Sequence, residues 1–233
     1  MTTRKHQGRV AGLLYLALAV TSTVGLCIPG SFMVRGDAAA TAAKLASREM
    51  FYRLCIASDV ASQVVFVFLV LAFFRLLRGV NERLAVLMVA LVLVQVPMGF
   101  ATDLVAMAPL AILHGPAYWS AFDKQQLDAA TMGFFRLREI GIDAVTALWG
   151  LWLLPLGLLV FRSGFIPRFL GVVLIVGCFA DLAVSAVSLL FPAYEQAIQP
   201  LRALGVGEIL IIVWLLIKGA RTEPADDPQP RSA

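Results

Sequence analysis

Residues 134–161, FFRLREIGIDAVTALWGLWLLPLGLLVF, open with Arg136, Arg138, Glu139 and Asp143 and then stay apolar long enough to cross a bilayer. About 20 consecutive apolar residues make about 30 Å of helix, the thickness of the hydrocarbon core. The segment therefore belongs in lipid, and it brings charge to the membrane with it. Helical spacing puts Arg136, Glu139 and Asp143 on one stripe and turns Arg138 elsewhere. Some of that stripe has to face protein.

The rest of the chain is of the same kind. It has 233 residues, 60% hydrophobic and 15% charged, with a mean hydropathy of +0.86, a composition of integral membrane proteins rather than soluble domains. The formal charge of +4 does not point to nucleic acid, because the basic residues are scattered at the ends of apolar runs, where topology explains them. Cys27, Cys55 and Cys178 lie in apolar segments without Cys-x-x-Cys or Cys/His spacing, so neither a disulfide framework nor a zinc site is indicated. A single Cys27–Cys55 bridge is left open. The basic start followed by an apolar run resembles a signal peptide, but LCIPGS offers no small-x-small cleavage site, and the run reads as an uncleaved first span.

In order, the pattern predicts an all-α polytopic bundle with six transmembrane helices at about residues 10–29, 54–77, 84–107, 141–161, 169–191 and 204–217. Residues 1–9 and a proline-rich, disordered tail at 219–233 flank the membrane unit of residues 10–218. Gly36-Asp37 before AAATAAKLASREMF predicts a capped short helix at the outer surface. The turn GVNE joins spans two and three, and Pro97 is placed to kink span three. Ser120-Ala-Phe-Asp123 matches a capping box; a helix unbroken from Asp123 to Phe161 would be about 58 Å long, so it must project or break near Gly133 or Gly141. Span six is short for a full crossing. Six spans leave both termini on one side. Arg4, Lys5, Arg9, Arg75, Arg78, Arg83, Arg162, Arg168, Lys218 and Arg221 make that side the cytoplasm, N-in and C-in, with the inner (plasma) membrane as the location.

Each span carries polar residues that lipid will not accept. Span two has Ser58, Asp59, Ser62 and Gln63; span three has Gln95 and Asp103; span five has Asp181, Ser185 and Ser188; span six has Glu208. Counted from the span ends, Asp59, Asp103, Asp143, Asp181 and Glu208 all fall in the outer half of the bilayer. An ionised carboxylate near the bilayer centre costs at least about 2.5–3.5 kcal/mol, so these groups are expected to gather around Arg136 and Arg138, with Arg53 and Arg202 at the outer span ends. The predicted site is a polar layer of Asp59, Asp103, Arg136, Glu139, Asp143, Asp181 and Glu208. Its residues serve equally well as interhelical hydrogen bonds, and both readings stand. His114 and His6 are too few for a histidine-rich centre, Ser185 and Ser188 lack a histidine partner, and the four tryptophans read first as interface anchors. Small-residue pairs such as Gly150 with Gly157 and Gly171 with Gly177 suit close helix contact.

Arg9-x-Ala11-Gly12-x-x-Tyr15-Leu16, Gly36-Asp37-Ala-Ala-Ala-Thr41-Ala, and the turn from Leu158 through Arg162-Ser163-Gly164-Phe165-Ile166-Pro167-Arg168 to Gly171 resemble bacterial membrane proteins of the domain of unknown function 4386 family; Gly207-Glu208 with Trp214-Leu215-Leu216-x-Lys218-Gly219 is similar to its closing motif. The resemblance implies a six-helix membrane protein without an established activity. The chain departs from the family in having no histidine near Arg138. The resulting expectation is a membrane protein whose partners are the bilayer and a small ligand, cation or lipid headgroup bound in an outward-facing cavity. No cofactor, metal, catalytic set or nucleic acid is expected. The competing readings are an enzyme pairing Asp59 with Asp181 or Glu208 on a lipid-linked substrate, and a purely structural or partner-binding bundle.

Overall fold

Apolar runs of this length satisfy their backbone in lipid only as helices or closed barrels, and here they are helices. In a computed structural model, which describes residues 2–115, 117–198, 200–201 and 205–220, the elements are α1 (Thr2–Phe32), α2 (Ala38–Ser47), α3 (Glu49–Leu77), α4 (Glu82–Leu113), α5 (Lys124–Arg162), α6 (Arg168–Leu190), the single turn α7 (Glu195–Ile198) and α8 (Val206–Ile217). There is no strand among the described residues. Five helices, α1 and α3 to α6, are long and apolar enough to cross a membrane. The sixth apolar helix, α8, has 12 residues and a length of about 18 Å. The expected disordered tail, apart from Gly219 and Ala220, lies outside the described residues, as does Arg202.

Local signals set most boundaries. The Asp37 carboxylate accepts from Ala40 N–H at 2.8 Å and starts α2. Asn81 does the same for α4 through Leu84 N–H at 3.0 Å. The box that starts α5 lies three residues further on than Ser120–Asp123: Asp123 is its N-cap, accepting from Gln126 N–H at 2.8 Å while the Gln126 side chain accepts from Asp123 N–H. From there α5 runs for 39 residues without interruption, so neither Gly133 nor Gly141 breaks it and its first turns project beyond a bilayer's thickness. They are covered by α2, where Thr41 lies 3.8 Å from the Met132 sulfur. The α5–α6 reversal needs Gly164, which sits at φ +72°, a conformation that costs glycine alone nothing. The helices α5 and α6 then pack backbone to backbone: a Cβ on Gly171 would lie 2.6 Å from the Gly157 carbonyl oxygen, the close approach that small residues permit in membranes.

The helix α8 runs antiparallel along the first part of α1, with Gly219 against Lys5 and Leu215 against Gly12, so the start of α1 and the end of α8 lie together at what is called here the basal end. Arg4 caps the Phe165 ring there at 5.0 Å. Two apolar cores result. The larger, basal one includes Tyr15, Phe73, Met88, Trp152, Leu156 and Leu215. The smaller, apical one includes Ile28, Phe32, Leu45, Tyr52, Ala106 and Phe135, with the Tyr52 hydroxyl donating to the Ala106 carbonyl at 2.6 Å. What separates them is polar.

Candidate functional site

Between the cores, α5 delivers Arg138. Its stripe of Thr131, Phe135, Arg138, Ile142 and Val145 is the buried face of that helix, and Arg138 is 1% exposed. Its Nη2 donates to Asp59 Oδ2 of α3 at 2.5 Å and reaches the Gly25 carbonyl of α1 at 3.5 Å. The absence of a side chain at Gly25 makes this possible, since a Cβ there would stand 2.6 Å from the Asp59 carboxyl carbon. From α4 the Asp103 carboxyl comes up against that of Asp59; it is 3% exposed, and neither of its oxygens meets a hydrogen-bond donor among the described residues. One guanidinium thus bonds Asp59, with the Asp103 carboxyl beside the pair, at the junction of α1, α3, α4 and α5.

A second polar group lies toward the basal end. The Tyr15 hydroxyl donates to Glu208 Oε2 at 2.5 Å, pinning the first turn of α8 against α1. The Tyr15 ring is held edge-on by Phe73 at 5.8 Å and Trp152 at 5.9 Å, and Trp152 in turn meets Phe66 at 4.9 Å. Asp181 of α6 packs where α5 has Gly150, its Cβ 2.7 Å from where a glycine Cβ would be. At 1.5 Å per residue, Gly150 lies about 18 Å along α5 from Arg138.

A cavity of about 370 Å³ joins the two groups, with Asp59 at one extreme and Asp181 and Glu208 toward the other. Its remaining wall is largely Tyr15, Phe66, Trp149 and Trp152, with Ser22, Thr23 and Gln63 adding polar edges. At its rim Leu26 is 40% and Ile209 57% exposed, so the flank between α1 and α8 is open where a membrane would present acyl chains. The volume sits at the small end of the range for small-molecule sites, and the mix of apolar wall and few polar groups is typical of them.

The predicted layer is therefore a column. Asp59, Asp181 and Glu208 face one cavity, and Asp103 adjoins Asp59 from behind. Arg136 and Glu139 are not part of it: they pair with each other at 2.6 Å, with Arg136 58% exposed. Asp143 is partly buried, and its backbone carbonyl accepts from Ser185 at 2.6 Å. The five acids do not share one height, because Asp181 and Glu208 lie well basal of Arg138. Arg53 bonds Glu49 at 2.6 Å and stands away from the column, as does His114, which bonds the same glutamate at 2.7 Å. Cys27, Cys55 and Cys178 are free thiols. Sequence reasoning did not single out Tyr15 as a site residue and set Trp149 and Trp152 down as anchors. The signal for Arg138 was present, since it shares its stripe with Phe135, Ile142 and Val145 whereas Arg136 shares one with Glu139 and Asp143.

No curated protein and no solved structure matches the chain. A family model described as a domain of unknown function (DUF4386) matches residues 10–219. Five membrane-length helices, a shorter sixth and this match over nearly the whole chain agree with one another, and the protein belongs to the DUF4386 family of unknown activity.

Proposed function

We propose that this is a multi-pass protein of the inner (plasma) membrane that binds a small ligand in the cavity between α1, α3, α5, α6 and α8. The observation that carries the reading is the cavity itself: carboxylates from three helices face one space that an apolar, aromatic wall would otherwise make a greasy void. Glu208 borders that volume with the neutral Tyr15 hydroxyl as its partner and no cationic side chain on the lining, and a buried carboxylate costs free energy unless something of opposite charge meets it. The membrane unit spans residues 10–218, with α8 as its sixth, partial segment and residues 1–9 and 219–233 in the cytoplasm. Arg75, Arg78, Arg83, Arg162 and Arg168 at the basal end support the N-in, C-in orientation. The cavity then faces the outer half and the flank of the membrane.

The enzyme reading has less support. The two carboxyl groups that adjoin are Asp59 and Asp103, and the first is held by Arg138 while the second is closed off from the cavity. The test is a structure of the purified protein with native lipids retained. Density in the cavity beside Glu208 and Trp152 is expected; a collapsed, fully packed interior would contradict ligand binding and return the carboxylates to a structural role.

A further inference from the structure

Resting on the ligand-binding reading above, we propose that the occupant is an alkylammonium amphiphile, its cationic head beside Glu208 among Tyr15, Phe66, Trp149 and Trp152, its chain leaving between Leu26 and Ile209.

Three independent features select that chemistry. The first is charge. The ionisable side chains lining the cavity among the described residues are Asp59, Asp181, Glu208 and the Tyr15 phenol, with no lysine, arginine or histidine. Asp59 has its cation in Arg138. Glu208 instead accepts from the Tyr15 hydroxyl, a neutral donor that orients the carboxyl group, and no cationic side chain lines the cavity beside it. An anion would be repelled here, and a cation supplies what the site lacks.

The second feature is the wall. Four aromatic side chains line the cavity that Glu208 borders, and ring contacts fix the orientation of Tyr15, Phe66 and Trp152. Aromatic faces attract ammonium groups most strongly where water is displaced. They offer nothing comparable to a hydrated metal ion, and no group of three or more His, Cys, Asp or Glu suited to a metal occurs among the described residues.

The third is the exit. A cavity of about 370 Å³ accommodates a head and not a complete lipid, and its rim is apolar and exposed at Leu26 and Ile209. A ligand with a hydrocarbon tail can reach the site from the bilayer without leaving it. The same ammonium chemistry is carried by free alkylamines and by the headgroups of zwitterionic lipids.

The experiment uses the full chain in a neutral maltoside detergent and follows tryptophan fluorescence and thermal stability during titration with octyltrimethylammonium, octylphosphocholine, octyl sulfonate and octyl glucoside. Saturable binding of octyltrimethylammonium is expected, with octyl sulfonate and octyl glucoside inert. Octylphosphocholine binding at least as tightly identifies a lipid headgroup as the source, and its failure to bind identifies a free amphiphile. Glu208→Gln, which keeps the shape of the side chain beside Tyr15, is expected to weaken ammonium binding about tenfold, and Trp149→Leu, which leaves Glu208 untouched, to weaken it by a similar factor. If sulfonate or glucoside binds equally well, or both variants bind as the parent does, the ammonium assignment is wrong while the cavity reading survives. If none of the four ligands gives a saturable response, both fall.

Discussion

Two groups of carboxylates share the interior of this bundle, and they are held in opposite ways. Asp59 and Asp103 adjoin each other between two apolar cores, beside an arginine delivered from a third helix that bonds Asp59. Glu208 faces a cavity with a phenol for a partner. The first arrangement ties α1, α3 and α5 together through Arg138, with the Asp103 carboxyl of α4 packed against Asp59. The second locks α8 to α1 and leaves charge available. Within one molecule, then, the acids gathered at Arg138 mark architecture, and Glu208, held by a phenol at a cavity wall, marks a place for something else.

The sharpest way to break this comparison is to remove the cation. Arg138→Met leaves two adjoining carboxyl groups without a guanidinium, and loss of one partner of a buried ion pair costs about 3–5 kcal/mol. A large fall in the thermal midpoint in detergent is expected, and Asp59→Asn in the same chain should recover part of it, since the two changes act on one contact. Gly25→Ala attacks the same junction sterically. Its new methyl would stand 2.6–2.8 Å from the Asp59 side chain, overpacking that costs about 1–3 kcal/mol and would lower the midpoint without altering charge. At the open group, Tyr15→Phe removes one hydroxyl and should cost about 1–2 kcal/mol; it frees the first turn of α8, which faster hydrogen exchange over residues 206–210 would reveal. The smallest effect is expected at Arg136→Ala, two residues from Arg138. An exposed pair with Glu139 contributes about 0–1 kcal/mol, so a midpoint within about a degree or two of the parent is expected. If Arg136→Ala proved as damaging as Arg138→Met, the distinction between exposed and closed charge would fail.

That pair of arginines also shows where sequence reasoning reaches and where it stops. The presence of each long apolar helix, the Asp37 cap, the Gly164 reversal and the excessive length of α5 follow from local chemistry, and local chemistry is visible in a single chain. Carboxylates inside apolar runs stand out for the same reason, and this led to Asp59, Asp103, Asp181 and Glu208. Which stripe of α5 faces inward depends on what α3 and α4 present to it, a tertiary fact. Charge spacing favoured the Arg136, Glu139 and Asp143 stripe, but apolar periodicity, with Phe135, Ile142 and Val145 around Arg138, was the better guide. Relative height was missed for a related reason. Counting from span ends assumes that every helix crosses at full length, whereas α8 begins partway through the bundle and sets Glu208 against Tyr15.

The contrast between a closed and an open group is tested most directly by thiol accessibility. In a cysteine-free background, Ser22→Cys and Glu208→Cys on the cavity wall and Asp103→Cys behind it are treated with a cationic trimethylammonium methanethiosulfonate in membranes. Fast modification at 22 and 208, with that at 22, where Glu208 is intact, slowed by octyltrimethylammonium, and no modification at 103, is the predicted result. Equal rates at all three positions, or reaction at 103 alone, would contradict the account.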